Sequence, residues 1–468
     1  MLPSPPDAGH PRKYRILAAL MLGSVLGPID GSIVNVVLPT IARTFSADLA
    51  TAQWVPMIYL VTIGSLALFF GRLGDLWGHR KIFLSGLLGF VAASVLCAAS
   101  PSIHALVLFR AVQGLAAGML MSVPLAIVTG VFPAAERGRA MGLYAISISV
   151  GLATGPSLGG FLTAAFGWRS AFLINLPIGL AAFAFARKVV PDRTGRPGRI
   201  DFPGAATGFG ALSTLLLFVN RAQQEGWTGA TLSLLAVSLL LGGTFLAVER
   251  RVAEPMLELA LFRSTTLSLG VLAALLNFMS QYVIVFLTPF YLARVLHAGP
   301  GRVGLVMTAF PLAVLCVAPF AGALSDRIGT AGPAAAGTGL CAAASFLMAA
   351  GTETGSLRTE VLLALFGLGT GLFQSPNNSA VMGSAPREHL GVVSSLLGTT
   401  RTVGMVLGVA AAGAFLYAVV PAAALRTPEL SAADAEGFVH GLRHAYAAAG
   451  AFAAAAGLFS LVRSGPRK

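Results

Sequence analysis

The sequence predicts an all-α integral membrane protein with fourteen transmembrane helices, arranged as two pseudo-symmetric six-helix bundles plus two inserted helices. Three observations predict this fold. The composition is much more apolar than that of a soluble protein, fourteen apolar segments follow one another along the chain, and motifs of the first half return in order in the second half.

The composition excludes most soluble classes of protein. Only 10% of the 468 residues are charged and 56% are hydrophobic, with a mean hydropathy of +0.81, whereas soluble domains carry about 25% charged residues. The net charge of +13 does not indicate a nucleic-acid partner, because the basic residues lie in short loops, where membrane topology explains them. Cys97, Cys316 and Cys341 lie far apart in apolar segments, so we predict no disulfide framework, metal site or cofactor.

Fourteen apolar segments, here called spans 1 to 14, are bounded by charged residues, Gly or Pro. Each is about as long as the ~20 residues that a helix needs to cross a bilayer. They lie near residues 16–39, 51–71, 82–99, 104–132, 139–164, 168–187, 203–220, 230–248, 265–291, 303–324, 332–351, 359–382, 391–418 and 440–462.

The distribution of basic residues predicts the orientation. An even number of spans places both termini on one side of the membrane. If that side is the cytoplasm, cytoplasmic segments hold 21 of the 31 Lys and Arg residues and the opposite loops hold 8, as the positive-inside rule expects. Arg greatly outnumbers Lys, as in GC-rich bacterial genomes. We therefore predict a multi-pass protein of the bacterial cytoplasmic membrane with cytoplasmic termini.

An internal repeat predicts the domain organisation. The pattern G-x-L-x-D-x-x-G occurs at residues 71–78 after span 2 and at residues 322–329 after span 10, 251 residues later. Two further motif pairs recur at similar offsets, in spans 4 and 12 and around spans 5 and 13. We predict an N-terminal six-helix bundle (1–190), a cytoplasmic linker with two inserted helices (191–263) and a C-terminal six-helix bundle (264–468).

One acidic residue lies well inside a span. Asp30 precedes Pro39, the predicted end of span 1, by nine residues or about 13 Å. An ionised carboxylate at this depth needs a partner, a watery cavity or a proton; the alternative is a helix-end carboxylate that reaches water. Arg110 in span 4 lies at a similar depth, so the two are candidates for a proton-coupling pair, with Gln113 one turn further in.

Four motifs together resemble the major facilitator superfamily, in its fourteen-span drug:proton antiporter branch. They are residues 30–39 with Asp30 in span 1, the loop 71–81, the Arg110, Gln113 and Gly114 set in span 4, and G-x-x-x-G-P-x-x-G-G at residues 151–160 in span 5. Family-like connectors follow at Gly167, Trp168, Arg169, Phe172, Asn175, Pro177 and Gly179. One departure is Leu76, which stands where the family often has a basic residue after the loop aspartate.

Two of these motifs also suggest moving parts. The first is a predicted gating loop, formed by Gly71, Asp75, Gly78 and Arg80, with Asp326 in the second copy. In this loop Gly71 and Gly78 are expected to make turns. Asp75 is expected to accept from a helix N-terminus or to pair with Arg80. The alternative is a charged loop that only fixes topology. In span 5, the predicted antiporter motif is a close-packed, bendable seam, which the resemblance places between the halves; ordinary G-x-x-x-G packing is the alternative. Its members are Gly151, Gly155, Pro156, Gly159 and Gly160.

Polar residues inside spans are candidates to line a substrate cavity. We predict this role for Asn35, Gln113, Arg401, Gln374 and Asn378. The alternative is that such residues only form hydrogen bonds between helices or, for Arg401, that the side chain snorkels.

By this resemblance the expected function is proton-coupled export of amphipathic drugs or antibiotics by alternating access, and proton-coupled or facilitative uptake of a small organic solute is the alternative. The chain has no Walker A motif and no cluster of catalytic residues at an interface, so we predict a transporter rather than an enzyme. The expected partners are a small amphipathic substrate, protons and the lipid bilayer, with the chain acting as a monomer. The balance of one acid and two arginines inside spans favours a neutral or weakly anionic aromatic substrate.

Overall fold

The structure is a computed structural model that describes residues 10–192, 202–252, 259–351, 356–384, 390–418, 420 and 432–463. Over these residues the chain forms α-helices joined by short connections and one 3-10 helix. The helices are α1 (Lys13–Ser24), α2 (Leu26–Thr44), α3 (Leu49–Ala52), α4 (Trp54–Trp77), α5 (His79–Ala98), α6 (Ile103–Ser122), α7 (Pro124–Val131), α8 (Ala134–Phe166), α9 (Ser170–Leu173), α10 (Asn175–Val189), α11 (Phe202–Glu225), α12 (Gly229–Glu249), α13 (Thr265–Arg294), α14 (Pro300–Ile328), α15 (Ala331–Ala350), α16 (Ser356–Gly383), α17 (Leu390–Tyr417) and α18 (Ala432–Val462), with the 3-10 helix at Leu259–Arg263.

Fourteen segments within the described residues are long and apolar enough to cross a membrane, which confirms the predicted all-α membrane fold. Four spans consist of two successive helices: α1 with α2 forms span 1, α3 with α4 span 2, α6 with α7 span 4, and α9 with α10 span 6. Each of the other ten spans is one helix. Side chains that face lipid are apolar, as Leu239 and Leu240 of α12 show with 69% and 70% of their surface exposed.

Span 1 is longer than the sequence predicts. Helix α2 continues through Pro39 and ends at Thr44, because a proline inside a membrane helix removes only one backbone hydrogen bond when neighbouring helices support it. Asp30 therefore lies fourteen residues from the end of α2, about 21 Å at 1.5 Å per residue. The predicted depth of nine residues was too shallow.

The two copies of G-x-L-x-D-x-x-G form the same turn. Helix α4 ends at Trp77, and Gly78 adopts a φ of +99° before α5 begins. Helix α14 ends at Ile328, and Gly329 adopts a φ of +86° before α15. In each copy the glycine amide donates to the carbonyl four residues earlier. Left-handed backbone of this kind favours glycine. The sequence repeat therefore corresponds to a repeated structure, a one-residue glycine turn between two helices.

The two predicted bundles meet mainly along two helix pairs, and α2 also contacts α13 and α14. Helix α8 packs against α14, and α4 packs against α17. We call the end of the molecule at which span 1 ends and span 2 begins the outer end, since the charge distribution predicts that it faces away from the cytoplasm. Near the outer end, the Ala50 amide donates to the Tyr417 hydroxyl at 3.0 Å and the hydroxyls of Ser157 and Thr308 are 2.5 Å apart. These bonds hold the halves together there.

The two inserted helices lie on the outside of this interface. Helix α11 contacts both α4 and α17, and α12 packs against α11. Only 11% of the residues in the most apolar stretch of α12 are buried, so most of this helix is left to contact lipid. The bundle boundaries predicted from the sequence stay predictions, and residues 193–201 of the predicted linker lie outside the described residues.

Candidate functional site

Asp30 is completely buried in the first half of the molecule, with 0% of its surface exposed. Three donors surround its carboxylate. Arg110 Nη1 donates to Oδ2 and forms an ion pair, while Gln113 Nε2 and Asn175 Nδ2 each donate to Oδ1 at 2.9 Å. All of these partners donate, so the arrangement matches an ionised carboxylate, whose oxygens only accept. The structure thus brings the predicted pair, Asp30 and Arg110, into direct contact.

Arg110 is held on span 2 as well as on Asp30. Its Nε donates to the Val55 carbonyl oxygen at 3.2 Å, and its Cζ lies 3.9 Å from the centroid of the Tyr59 ring. Its Nη1 also donates to Gln113 Oε1 at 2.6 Å. Gly114 makes this approach possible, because an added Cβ there would lie 2.9 Å from the Tyr59 carbonyl oxygen. The guanidinium therefore links spans 1, 2 and 4.

Ser94 in span 3 completes the cluster. Its hydroxyl accepts from Gln113 Nε2 at 2.9 Å and from Asn175 Nδ2 at 3.2 Å, and it donates to the Phe90 carbonyl at 2.7 Å. Sequence reasoning did not assign Ser94 or Tyr59 to the site, and it noted Asn175 only as part of a connector. An available signal was polarity: Ser94 and Asn175 are polar residues inside spans and both are fully buried. We call Asp30, Arg110, Gln113, Asn175 and Ser94 the Asp30 cluster.

Arg401 lies at the boundary between the halves rather than in the Asp30 cluster. It comes from α17, and its guanidinium interacts electrostatically with the hydroxyls of Tyr282 in α13 and Tyr144 in α8. Tyr282 also interacts electrostatically with Tyr59, the residue on which Arg110 stacks. Tyr282 is therefore the residue through which Arg401 of the second half approaches Tyr59 and the buried ion pair of the first half.

The remaining cavity candidates are dispersed. Asn35 is buried and donates to the Gly31 carbonyl at 3.1 Å within its own helix. Gln374 is partly exposed and Asn378 exposed, one turn apart on α16. Their neighbour Asn377 is fully buried; it donates to the Gly270 carbonyl at 3.1 Å and accepts from Arg463 at 2.5 Å. The structure therefore brings only Gln113 among the candidates into the Asp30 cluster, and a shared cavity stays a prediction.

The predicted gating loop is shorter than expected. Gly71 lies inside α4 and makes no turn; the single residue Gly78 turns the chain. Asp75 does not pair with Arg80. It pairs with His79 at 3.0 Å, one helical turn away, because α4 runs directly into this turn and carries Asp75 beside the start of α5.

Arg80 pairs across a longer distance in sequence. Its Nη1 contacts Asp192 at 3.2 Å and its Nη2 donates to the Arg187 carbonyl at 2.7 Å, which fastens the start of span 3 to the end of span 6. The side chain of Asp326, the corresponding aspartate of the second copy, lies outside the described part of the structure.

The span 5 motif divides between two partners. Gly151, Gly155 and Gly159 pack against span 1, where added Cβ atoms would collide with Val25, Ser32 and Ile33. That part of the seam lies within one half.

The other face of the motif meets the second half. An added Cβ on Gly160 would lie 2.6 Å from the Pro300 carbonyl oxygen and 2.9 Å from Gly304 Cα, and one on Gly304 would strike the Pro156 carbonyl oxygen. Helix α8 is continuous through Pro156. Only this face therefore lies between the halves, as the resemblance implied for the whole motif.

Several named proteins are similar in sequence to this chain over most of its length. The riboflavin transporter RibZ of Clostridioides difficile is 33% identical over 85% of this chain and 87% of its own length. The tetracenomycin C resistance and export protein of Streptomyces glaucescens is 31% identical over 86% of this chain and 76% of its own. The multidrug resistance protein Stp of Mycobacterium tuberculosis is 33% identical over 86% of this chain and 75% of its own.

A solved structure shares the fold. The bacterial homologue of the lysosomal transporter Spinster, solved in an inward-facing and unoccupied conformation, superposes with a TM-score of 0.68 at 17% identity, over 97% of both chains. The model of the family described as Major Facilitator Superfamily matches residues 20–409 and 270–468. The predictions of family and of a transporter rather than an enzyme are confirmed. Both the sequence motifs and these similarities lead to one assignment: the chain belongs to the Major Facilitator Superfamily.

Proposed function

We propose that the protein is a proton-coupled antiporter that exports amphipathic drugs or antibiotics across the bacterial cytoplasmic membrane by alternating access. The observation that carries this proposal is the fully buried Asp30, held by Arg110 and two amides. A buried, paired carboxylate inside a span is the usual device for carrying a proton through a membrane protein.

Protonation of Asp30 has a direct structural consequence. A neutral carboxyl group no longer forms an ion pair, so Arg110 loses its charge partner while it stays bound to Val55 and stacked on Tyr59 of span 2. Span 1 is then held less tightly to span 4. Since span 1 packs on the glycine face of span 5, and span 5 contacts α14 through Gly160, a change at Asp30 reaches the interface between the halves through packed helices.

The charges near the interface favour a particular class of substrate. Arg401 and the hydroxyls of Tyr144 and Tyr282 lie together there, with one residue from the first half and two from the second. A cation beside aromatic rings suits a neutral or weakly acidic aromatic molecule better than a strongly cationic one. The relative from Streptomyces glaucescens is named for resistance to and export of tetracenomycin C, which supports export as the direction of transport.

Counterflow in proteoliposomes tests the proton role. With an imposed pH gradient, the wild-type protein should accumulate a fluorescent aromatic substrate against its gradient, and Asp30→Asn should not. Asp48→Asn is a matched control, since Asp48 caps helix α3 by accepting from the Thr51 amide at 2.8 Å. If the gradient still drove accumulation in Asp30→Asn, the proposal would be wrong.

Uptake of a small organic solute is the second candidate. It is favoured by the 33% identity to a riboflavin transporter. The direction of coupling distinguishes the two: an exporter accumulates substrate on the side from which protons leave, whereas a proton-coupled importer moves both in the same direction. The same proteoliposomes, with riboflavin and an aromatic antibiotic as substrates, give this direction.

A further inference from the structure

A basic cavity lies between the halves at the outer end. It encloses about 360 Å³ between the last turns of α2 on one side and the α13–α14 connection on the other. Arg43 enters from the first half, and Arg294 and His297 from the second; none of the described residues that line the cavity is acidic. The cavity is separate from the Asp30 cluster and from Arg401. Val36 and Pro39 of the span 1 motif form part of its wall, but its basic residues, Arg43, Arg294 and His297, belong to none of the family motifs.

Arg294 is a buried cation with one N–H group that no described residue accepts. Only 7% of its surface is exposed, and within the described residues its Nη1 has no hydrogen-bond partner. Its Cζ lies 5.6 Å from the Phe290 ring centroid, which supports the guanidinium from one side. A buried guanidinium N–H without an acceptor is costly. Nη1 has almost no accessible surface of its own, so a ligand with acceptor oxygens in the cavity removes that cost once the guanidinium rotates toward it.

A helix N-terminus adds to the positive potential. Gly299 and Pro300, the N-cap and first residue of the 29-residue helix α14, line the same cavity, and no side chain caps this helix. The first amides of a helix have no acceptor within it, and the helix dipole is positive at this end. The guanidinium of Arg302 in this turn is directed to Ser356 and Glu360 instead.

Arg43 and Arg294 also repel each other across the interface, since they lie within electrostatic range of one another. In the absence of an anion, this repulsion favours separation of the halves at the outer end. An anion between them reverses the sign of the interaction, because each arginine is then attracted to the same ligand.

We propose that this cavity is a binding site for a phosphate-type oxyanion that bridges Arg43 and Arg294 and holds the outer end closed. The tetrahedral oxyanion accepts from the two guanidinium groups and lies against the first turn of α14. Its source is either a free anion or the headgroup of an anionic phospholipid of the outer leaflet. Opening of the outer end during transport then requires release of the anion, so external oxyanion favours the outer-closed state.

Calorimetric titration of the purified full-length protein with sodium phosphate and sodium sulfate, at constant ionic strength against chloride, tests the site. The wild type should bind one oxyanion saturably and gain thermal stability. Arg294→Gln should weaken binding by about tenfold or more, and the Arg43→Gln/Arg294→Gln double variant should abolish it. Arg221→Gln, an exposed arginine that does not line the cavity, should bind like the wild type.

The double variant also controls for folding. It removes two like charges that repel each other, so in chloride alone its melting temperature should equal or exceed that of the wild type. Two outcomes would overturn the proposal. One is that a folded double variant binds the oxyanion saturably with unchanged affinity. The other is that the wild type shows no saturable binding in either of the two lipid compositions described next.

Two lipid compositions distinguish the sources. In nanodiscs of phosphatidylcholine alone, the wild type should bind phosphate. If a lipid headgroup is the natural ligand, added phosphatidylglycerol should compete with phosphate, and native mass spectrometry should detect it retained on the wild type but not on the double variant. If the ligand is a free anion, phosphate should bind equally in both compositions.

Spin labels test the effect on the outer end. Thr44→Cys and Leu357→Cys place labels on exposed residues of the two halves, in a Cys316→Ser background because the other two cysteines are buried. Saturating phosphate should shift the distance distribution toward its shorter component, and it should leave the distribution unchanged in the Arg43→Gln/Arg294→Gln variant. A wild-type distance distribution that does not respond to phosphate contradicts the proposal that the bound anion holds the outer end closed.

Discussion

The side-chain amide of Asn175 donates to Asp30 at 2.9 Å and to Ser94 at 3.2 Å. This pair of bonds ties the start of span 6 to spans 1 and 3, and it fixes the carboxylate through Oδ1, whereas Arg110 donates to Oδ2. The Asp30 cluster is therefore assembled wholly within the first half of the molecule. Arg401, by contrast, lies where the two halves meet. Proton binding and substrate binding are thus expected at separate places joined by packed helices.

The first prediction concerns the ion pair itself. Arg110→Gln leaves a buried carboxylate without its cation, which costs about 3–5 kcal/mol, so we expect a large fall in melting temperature. The double variant Asp30→Asn/Arg110→Gln removes both charges and should regain most of that stability, because neutral amides can still hydrogen-bond to Gln113 and Asn175. Thermal unfolding of the purified single and double variants measures this.

Transport separates this effect from simple damage. Both single variants and the stable double variant should fail to accumulate substrate under a pH gradient, since none of them retains a proton-binding carboxylate paired with a cation. A double variant that is stable and also transports would show that the pair is structural. A double variant whose loss of stability equals the sum of the losses of the two single variants would show that the two side chains contribute independently.

Much of the fold could be predicted from the sequence because lipid burial depends on composition along short segments. The pairing of Asp30 with Arg110 could also be anticipated, since opposite charges inside spans have few alternatives to each other. The predicted depth of Asp30 was wrong because Pro39 does not end the helix. Asp30 and Arg110 still contact each other, because both residues lie well inside their spans. Depth along a helix is therefore a weaker guide than charge.

Other parts of the site depend on side-chain directions that the sequence does not reveal. Asn175 faces Asp30 because of the rotation of span 6 about its axis, which depends on how the helices pack and not on the local sequence. Arg80 forms an ion pair with Asp192 rather than with Asp75, because the turn at Gly78 is one residue long and span 6 ends beside Arg80. Likewise, the glycines of span 5 are visible in sequence, but not which of them meets span 1 and which meets α14.

The second prediction separates the two faces of the span 5 motif. Gly160→Ala places a methyl group against the Pro300 carbonyl and Gly304 across the interface, with an expected cost of about 1–3 kcal/mol. Since the collision occurs only when the halves are close near the outer end, it should shift the protein toward an outer-open state and slow transport. Outer-end accessibility, measured by labelling of a cysteine introduced at Thr40, should increase. Gly243→Ala is the control, since nothing lies within 4 Å of its added Cβ; equal effects of the two substitutions would contradict the prediction.

The third prediction concerns the turn of the repeated motif. Gly78→Ala forces a residue with a Cβ into a φ of +99°, which should cost about 1–3 kcal/mol. Gly71→Ala lies in a helix with nothing within 4 Å of the added Cβ, so it should be neutral or stabilising by about 0.5–1 kcal/mol. Melting temperatures of the two variants measure this difference. If Gly71→Ala were as harmful as Gly78→Ala, the assignment of the turn to Gly78 alone would be wrong.

The last prediction concerns substrate charge. Arg401 supplies a cation at the interface between Tyr144 and Tyr282, so removal of that cation should matter most for substrates that carry negative charge. For Arg401→Gln we expect KM for a weakly acidic aromatic substrate to rise by about tenfold, the equivalent of about 1.4 kcal/mol, with little change for a neutral analogue of the same size. Arg401→Lys should restore part of the loss, because charge is kept while the planar geometry is not. Initial transport rates of the two substrates, measured side by side in proteoliposomes, give both KM values. If KM rose equally for both substrates, Arg401 would support packing at the interface and would not recognise the charge of the substrate.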